Sequence, residues 1–206
     1  MAARHCRPDP PDRQGRALTP ALVVPGGVGG PYTPLLMFGG DAAEARGADV
    51  TRFSWTSPGD PRDLDPRRRG RWVCDQVAPV IAALDVASGR PLIVAKSLGT
   101  YAAPLAADQS CPAVWLTPVL DDSWVVEGLR RATAPLLLVG GTADPMWDGP
   151  LARELSPHVL EVVDADHGMY VPGPLRRSVE VLGDVLAAVE GFLDQVVWPA
   201  GSPNRG

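Results

Sequence analysis

Short apolar runs alternate with longer amphipathic stretches along most of the chain. From Leu18 onward six runs rich in aliphatic and β-branched residues recur, and several are apolar at every position. Continuous apolar runs of this length are typical of strands that are buried on both faces of a parallel sheet. The predicted strands are residues 22–24, 50–55, 92–95, 113–116, 136–139 and 159–163.

Between these runs, apolar residues recur at helical spacing. Residues 72–84 carry one apolar face, residues 98–107 are rich in Ala and Leu, and residues 182–196 form a stripe at i, i+3, i+4 and i+7. Strands that alternate with helices predict an α/β fold with a doubly wound, mostly parallel sheet of about six strands. The polar segment 1–17 predicts a disordered N-terminal arm, 18–198 the folded domain, and 199–206 a C-terminal tail.

One buried run leads directly into a serine followed by small residues. The sequence Ala95-Lys-Ser97-Leu-Gly99 matches the G-x-S-x-G nucleophile elbow, with Ala95 in place of the first glycine. The serine of an elbow occupies a strained turn between strand and helix, so the residues two positions away must be small. Ser97 is therefore predicted as a nucleophile, with the N–H of Leu98 as one oxyanion donor. A serine that merely caps a helix is the alternative.

A nucleophilic serine needs a base, and the chain contains three histidines. His5 lies in the polar arm, and His158 precedes the last predicted strand, at the end of the sheet opposite Ser97. His167 follows that strand, on the carboxyl side where open α/β sheets build their sites. We therefore predict His167 as the general base, the alternative being a surface loop histidine.

The base in turn needs a carboxylate that orients its ring. Asp144 comes just after the predicted strand 136–139, which should neighbour the strand that leads to His167. Asp144 is therefore the predicted acid. Asp148 on the same loop, and Asp121 or Asp122 after the preceding strand, are competitors.

A glycine-rich segment, Pro25-Gly-Gly-Val-Gly-Gly30, follows the first predicted strand. Glycines allow backbone N–H groups to face a substrate oxygen, so Gly27 or Val28 is expected to supply the second oxyanion donor. A phosphate-binding loop is the rival interpretation. The sequence has no G-x-x-x-x-G-K-[ST] match, and Pro31 leaves no simple helix N-terminus.

Taken together, these segments resemble a compact member of the α/β-hydrolase superfamily over residues 18–197, similar to small dienelactone-hydrolase-like enzymes. The order Ser97, Asp144, His167 is the nucleophile–acid–base order of that fold. The resemblance implies that the Ser97 strand pairs with the first strand, which brings the elbow and the glycine-rich loop together. Two departures, Pro25-Gly26 for the usual His-Gly and Ala95 for glycine, concern the subfamily more than the chemistry.

Larger α/β hydrolases insert a cap domain where this chain has only residues 117–134, enough for a loop and one helix. A minimal fold with no large cap and a fairly open site is therefore expected. Several large side chains on carboxyl-side loops are candidates for a substrate pocket, with burial against the sheet as the alternative. They are Tyr32, Trp124, Met146, Trp147, Met169 and Tyr170.

Composition narrows the partners of this 206-residue chain. A net charge of -5 argues against nucleic acid, and no apolar run approaches the length that spans a bilayer. Three widely spaced cysteines and the absence of an apolar segment behind the N-terminal charges predict a cytoplasmic protein. The arginines of the loop 62–71 suit either an anionic group or, more simply, solvent. No metal ligand pattern occurs among the cysteines.

The leading hypothesis is a serine hydrolase that cleaves a carboxylic ester or thioester of a small-molecule acyl substrate through an acyl-Ser97 intermediate. No metal and no organic cofactor is implied. A second hypothesis retains the triad but changes the reaction to acyl transfer, lactone formation or C–C cleavage. A third is a non-catalytic binding protein on the same fold. The oligomeric state and the acyl and leaving groups stay open.

Overall fold

Six parallel strands form the centre of the molecule. The computed structural model describes residues 18–56, 61–85, 87 and 89–199. The strand order is β2-β1-β3-β4-β5-β6, and every neighbouring pair is parallel. The strands are β1 Pro20–Val24, β2 Asp49–Arg52, β3 Leu92–Lys96, β4 Ala113–Leu116, β5 Leu136–Gly141 and β6 His158–Val162. The prediction of an α/β fold with about six strands is confirmed.

Helices cover both faces of this sheet. Side chains of α1 and α6 share one core with the sheet, whereas α2, α3, α4 and α5 pack into the other. Apolar strand positions alternate between these two cores, which explains why the central strands are apolar throughout. The helices are α1 Pro34–Ala45, α2 Pro66–Ala83, α3 Ala103–Asp108, α4 Ser123–Arg130, α5 Gly149–Leu155 and α6 Leu175–Phe192.

The helix boundaries differ from those predicted from the sequence, and α6 begins at Leu175 instead of near residue 182. The segment interpreted as a loop up to residue 71 becomes helical at Pro66, because the Asp65 carboxylate accepts a hydrogen bond from the Arg68 N–H and caps α2. The chain after β3 forms a 3₁₀ helix, Ser97–Ala102, before α3 begins. Pro104 has no N–H and so cannot donate the α-helical bond to Thr100.

Helix α1 is absent from the sequence prediction because its pattern is interrupted by Gly39 and Gly40. Both glycines face the sheet: a Cβ at Gly39 would lie 3.0 Å from Val94 Cγ1, and one at Gly40 would lie 3.0 Å from Val23 Cγ2. Because glycine has no side chain, α1 can pack close to β1 and β3. The close approach outweighs the low helix propensity of glycine.

The two ends of the chain lie almost entirely outside the residues that the structure describes. The predicted arm, 1–17, and residues 200–206 of the predicted tail lie outside the described residues. Within the described ranges, no helix is both long and apolar enough to cross a bilayer.

Candidate active site

Ser97 lies at the tip of a tight turn between β3 and the 3₁₀ helix. Its φ of 50° is in the left-handed region, which costs a non-glycine residue conformational energy and is common at functional sites. Two contacts hold the turn: the Thr100 hydroxyl donates to the Ser97 carbonyl at 2.6 Å, and Gly99 packs on β1. A Cβ at Gly99 would lie only 2.6 Å from Val24 O, so this position requires glycine.

Three side chains from three successive strand ends form a hydrogen-bonded chain. Ser97 Oγ lies 2.8 Å from His167 Nε2, and His167 Nδ1 lies 2.7 Å from Asp144 Oδ2. The Asp144 side chain has no exposed surface, and its second oxygen accepts from the Met146 N–H at 3.0 Å. A carboxylate held in this way keeps the Nδ1 proton on the ring, which leaves Nε2 free to accept the proton of Ser97.

Two of the three competing acidic residues are hydrogen-bonded to other parts of the chain. Asp148 caps α5 by accepting from the Leu151 N–H at 2.9 Å. Asp122 accepts from the Tyr101 hydroxyl at 2.5 Å and caps α4, while Asp121 follows β4, a strand apart from Asp144. Of the carboxylates considered from the sequence, the structure places that of Asp144 against His167.

Of the other two histidines, the one that the structure describes lies away from Ser97. His158 begins β6, and its ring packs on Phe192 with centroids 5.3 Å apart. His5 lies outside the described residues. His167, four residues beyond the loop entry at Val163, is the histidine that the fold brings to the elbow.

The glycine-rich loop lies beside the elbow, as pairing of β1 with β3 requires. A Cβ at Gly26 would be 3.4 Å from Ser97 Cβ, and one at Gly27 would be 3.8 Å from Leu98 Cδ2. Trp55 Nε1 donates to Gly26 O at 2.9 Å and so fixes the peptide that carries the Gly27 N–H. Trp55 was assigned to β2 from the sequence, but the strand ends at Arg52, and the indole packs on Phe53 and Trp72 instead.

A cavity of about 700 Å³ opens over Ser97 and His167. It is lined by residues that were proposed from the sequence, among them Gly27, Leu98, Met146, Met169 and Tyr170. The remaining wall comes largely from the first turns of α1 and α6. These residues, which the sequence analysis did not select, are Thr33, Pro34, Leu35, Leu175, Ser178, Val179 and Leu182.

Three aromatic residues proposed for the pocket are placed elsewhere. Trp124 packs over Gly70, and its Nε1 donates to Tyr101 O at 3.0 Å. Trp147 packs over Gly140, and its Nε1 donates to Glu161 Oε2 at 2.7 Å. The ring of Tyr32 is exposed and lies outside the set of described residues that line the cavity. Each of the two indoles packs over a glycine and therefore lies away from the cavity.

Tyr101 and Arg69 form one wall of the cavity. Arg69 Nη1 donates to the Tyr101 hydroxyl at 2.9 Å, and the same guanidinium donates to Pro61 O and Leu64 O. Burial, together with the bond to Asp122, raises the pKa of Tyr101 to about 12. Tyr101 is therefore neutral at ordinary pH and shapes the wall. Of the arginines in the 62–71 region whose side chains are described, Arg69 is the one that lines the cavity.

Lys96, the only lysine of the chain, connects the elbow with the histidine loop. Its Nζ donates to the carbonyl oxygen of His167 at 3.0 Å. Burial lowers the pKa of the Lys96 ammonium, and the nearby carboxylates of Asp144 and Asp166 oppose that shift. The Lys96 side chain therefore links the backbone of His167 to the nucleophile turn, one residue before Ser97. Its position directly before the serine was visible in the sequence, but its partner was not.

We expect Lys96→Met to lower kcat by about tenfold to a hundredfold, the range that a small misplacement of a reacting group produces. Methionine retains a long apolar side chain but removes the tether on His167. Steady-state kinetics with a p-nitrophenyl ester would measure the effect. Arg52→Met is the control, because Arg52 is also partly buried but lies on β2 and pairs with Asp41 and Glu44 of α1. A rise in KM with unchanged kcat would contradict a positioning role for Lys96.

Similar solved structures share this architecture. Est1E of Butyrivibrio proteoclasticus, solved with ferulic acid, has a TM-score of 0.66 at 14% identity, covering 93% of this chain and 94% of that one. A lidless α/β serine hydrolase of Xanthomonas campestris has a TM-score of 0.58 at 17% identity, covering 92% and 87%. This chain has the α/β-hydrolase fold. A dienelactone hydrolase of Anabaena variabilis scores 0.59 at 18% identity, covering 87% of each chain.

Sequence comparisons add nothing to this likeness. No protein-family model matches the chain, and no curated protein matches it. At these identities the agreement concerns the α/β-hydrolase fold itself, so the chemistry must be argued from the residues of this chain. Within its described residues, no group of three or more His, Cys, Asp or Glu side chains is arranged to hold a metal ion.

Proposed function

We propose that this protein hydrolyses carboxylic esters or thioesters through an acyl-Ser97 intermediate. The observation that carries the proposal is the continuous chain of hydrogen bonds from Ser97 Oγ to His167 Nε2 and from His167 Nδ1 to Asp144 Oδ2, at 2.8 and 2.7 Å. Ser97 faces a cavity large enough for a small ligand. A serine that only capped a helix would need neither the base nor the buried carboxylate.

In the first half-reaction, Ser97 Oγ bonds to the substrate carbonyl carbon while His167 Nε2 takes the hydroxyl proton. The tetrahedral intermediate collapses when the bond from carbon to the leaving oxygen or sulfur breaks. The imidazolium returns its proton to the leaving group. Asp144 stabilises the imidazolium and holds the ring in place. The acyl group remains on Ser97 as an ester.

In the second half-reaction, a water molecule gives a proton to His167 Nε2 and its oxygen attacks the acyl carbon. Collapse of this second intermediate breaks the bond to Ser97 Oγ, which takes the proton back. The carbonyl oxygen carries negative charge in both intermediates. The N–H groups of Leu98 and Gly27 are the proposed donors to it, since Leu98 follows the serine directly and the Gly26–Gly27 peptide is fixed by Trp55.

Acyl-enzyme trapping tests this function. Brief incubation with p-nitrophenyl acetate, or with a simple thioester, followed by acid quenching should give an acetylated chain whose modified peptide contains Ser97. Turnover in ¹⁸O-labelled water should place one labelled oxygen in the released acid. If no ester or thioester acylated Ser97, the proposal would be overturned. Acyl transfer to an added alcohol in preference to water would assign the site to the second hypothesis.

A further inference from the structure

Helix α6 carries a buried apolar row and, beside it, a second apolar row that is less buried. Val181, Val185, Val189 and Phe192 are buried against the sheet. In the first turns of the helix, a second apolar row consists of Leu175, Val179 and Leu182, which are spaced at i, i+4 and i+7 and line the cavity that contains Ser97.

The second row is unusual because it includes exposed side chains. Leu175 is 67% exposed and Val179 is 61% exposed, whereas other exposed positions of the same turns, such as Arg176 and Glu180, are charged. Large apolar side chains that are exposed together beside a cavity indicate a ligand-binding surface. Leu182 packs against the core, whereas Leu175 and Val179 belong to neither core cluster and are available to contact a ligand in the cavity.

The same cavity has apolar side chains from other elements. Pro34 and Leu35 of α1 and Met169 of the histidine loop line it. The charged side chains that line the cavity, Lys96 and Arg69, each donate hydrogen bonds to carbonyl oxygens of the protein. No carboxylate lines the cavity within the described part of the chain. These surroundings favour an uncharged aliphatic group.

We infer that the groove between the N-terminal turns of α1 and α6 binds the acyl chain of the substrate, an unbranched aliphatic chain of about six to ten carbons. This inference rests on the proposed function, because the chain is placed by its covalent bond to Ser97. The acyl chain stays attached while the leaving group departs and water arrives. A groove continuous with Ser97 therefore suits the acyl group, whereas the leaving group must exchange with solvent.

The length of the row sets the length of the chain. Leu175 and Leu182 are seven residues apart, which corresponds to about 10 Å along a helix axis. An extended covalent chain advances roughly 1.2 Å per bond, so about eight bonds cover that distance. Acyl chains near C8 should therefore fill the groove, and acetyl should leave it empty.

The first test is a series of p-nitrophenyl esters from C2 to C12 that share one leaving group. We expect kcat/KM to rise by about twofold to fourfold for each added methylene up to roughly C8, the increment for burying a methylene, and then to level off. A profile that is flat, or that falls from C2, would overturn the groove assignment. A rise seen only when the chain is placed on the alcohol side would also overturn it.

The second test uses two valines of similar exposure. Val179→Asp places a charge in the groove, so we expect kcat/KM for the octanoyl ester to fall at least tenfold while that for the acetyl ester falls less than threefold. Val163→Asp is the matched control, because Val163 is 70% exposed and lies outside the described lining of the cavity. The control should change neither value. Equal losses on both esters in Val179→Asp would contradict the proposal.

A fluorophosphonate probe with a short ethyl chain separates the two failures. If the probe labels Ser97 and acetyl ester is hydrolysed, but chain length has no effect, the groove assignment fails and the proposed function stands. If neither the probe nor any ester modifies Ser97, the proposed function itself fails. If both labelling and the preference for C8 are observed, and Val179→Asp removes the preference, both proposals are supported.

Discussion

Ser97→Ala is expected to abolish labelling by a fluorophosphonate and to lower kcat by about 10⁴-fold or more, the loss typical of removing the nucleophile from such a triad. The reason is that the Ser97 hydroxyl is the group within 2.8 Å of His167 Nε2. Gel-based labelling and steady-state kinetics would measure the two effects. Because φ at this position is 50°, Ser97→Gly is a useful second variant that lacks the hydroxyl without straining the turn.

Ser178 offers a control in the same cavity. It also lines the cavity over Ser97 and His167, but its hydroxyl accepts a hydrogen bond from the Val171 N–H at 3.1 Å. Ser178→Ala should therefore retain labelling. Labelling that persists in Ser97→Ala but disappears in Ser178→Ala would require a different nucleophile.

Asp144→Asn should lower kcat by about 10⁴-fold with little change in the fold, as expected when the group that orients the imidazole loses its charge. The amide is nearly isosteric and can still accept from the Met146 N–H. It can no longer offer Nδ1 a carboxylate, so the tautomer with Nε2 free is lost. Kinetics with the p-nitrophenyl ester series would measure catalysis, and thermal unfolding would measure stability.

Asp148→Asn is the matched control, four residues along the same loop. Asp148 caps α5, and asparagine is also a good N-cap residue, so both activity and melting temperature should change little. If Asp148→Asn reduced kcat more than Asp144→Asn did, the acid would have to be reassigned. If both variants were fully active, His167 would not depend on a carboxylate and the triad mechanism would be wrong.

The central strands could be predicted from the sequence because burial on both faces requires a continuous apolar run. The predicted run 113–116 coincides with β4. The prediction fails at the end of β2: large apolar residues continue at alternate positions, Phe53 and Trp55, yet the strand ends at Arg52. The centroids of those two rings are 4.8 Å apart, and both rings belong to an aromatic cluster. The order of apolar and polar residues alone does not distinguish such a cluster from a strand.

Helices that depend on close packing were harder to predict. α1 contains Gly39 and Gly40, which lower its intrinsic propensity but allow it to approach β1 and β3. α5 is seven residues long and begins at Gly149 with Asp148 as its cap. Neither shows a long periodic stripe. Both are stabilised by contacts with segments distant in the chain, and such contacts leave little local signal.

For the site, chain order and strand ends were sufficient to select Ser97, Asp144 and His167, because parallel strands bring their carboxyl ends to one edge of the sheet. Those positions are properties of the sequence and its periodicity. The distances between them are not, and neither is the contact that decides between Asp144, the predicted acid, and its competitor Asp148. That choice depends on which carboxylate is buried beside the imidazole.

The walls of the cavity were decided by tertiary structure alone. Trp124 and Trp147 looked like pocket residues because they are large and lie on the right loops, but each covers a glycine elsewhere. Leu175 and Val179 precede the predicted stripe 182–196 and were not selected from the sequence. Which face of a helix meets a cavity depends on how the helix packs across the sheet. The sequence therefore determined which chemistry-bearing residues meet at the sheet edge, whereas the surface offered to the substrate depended on contacts between elements far apart in the chain.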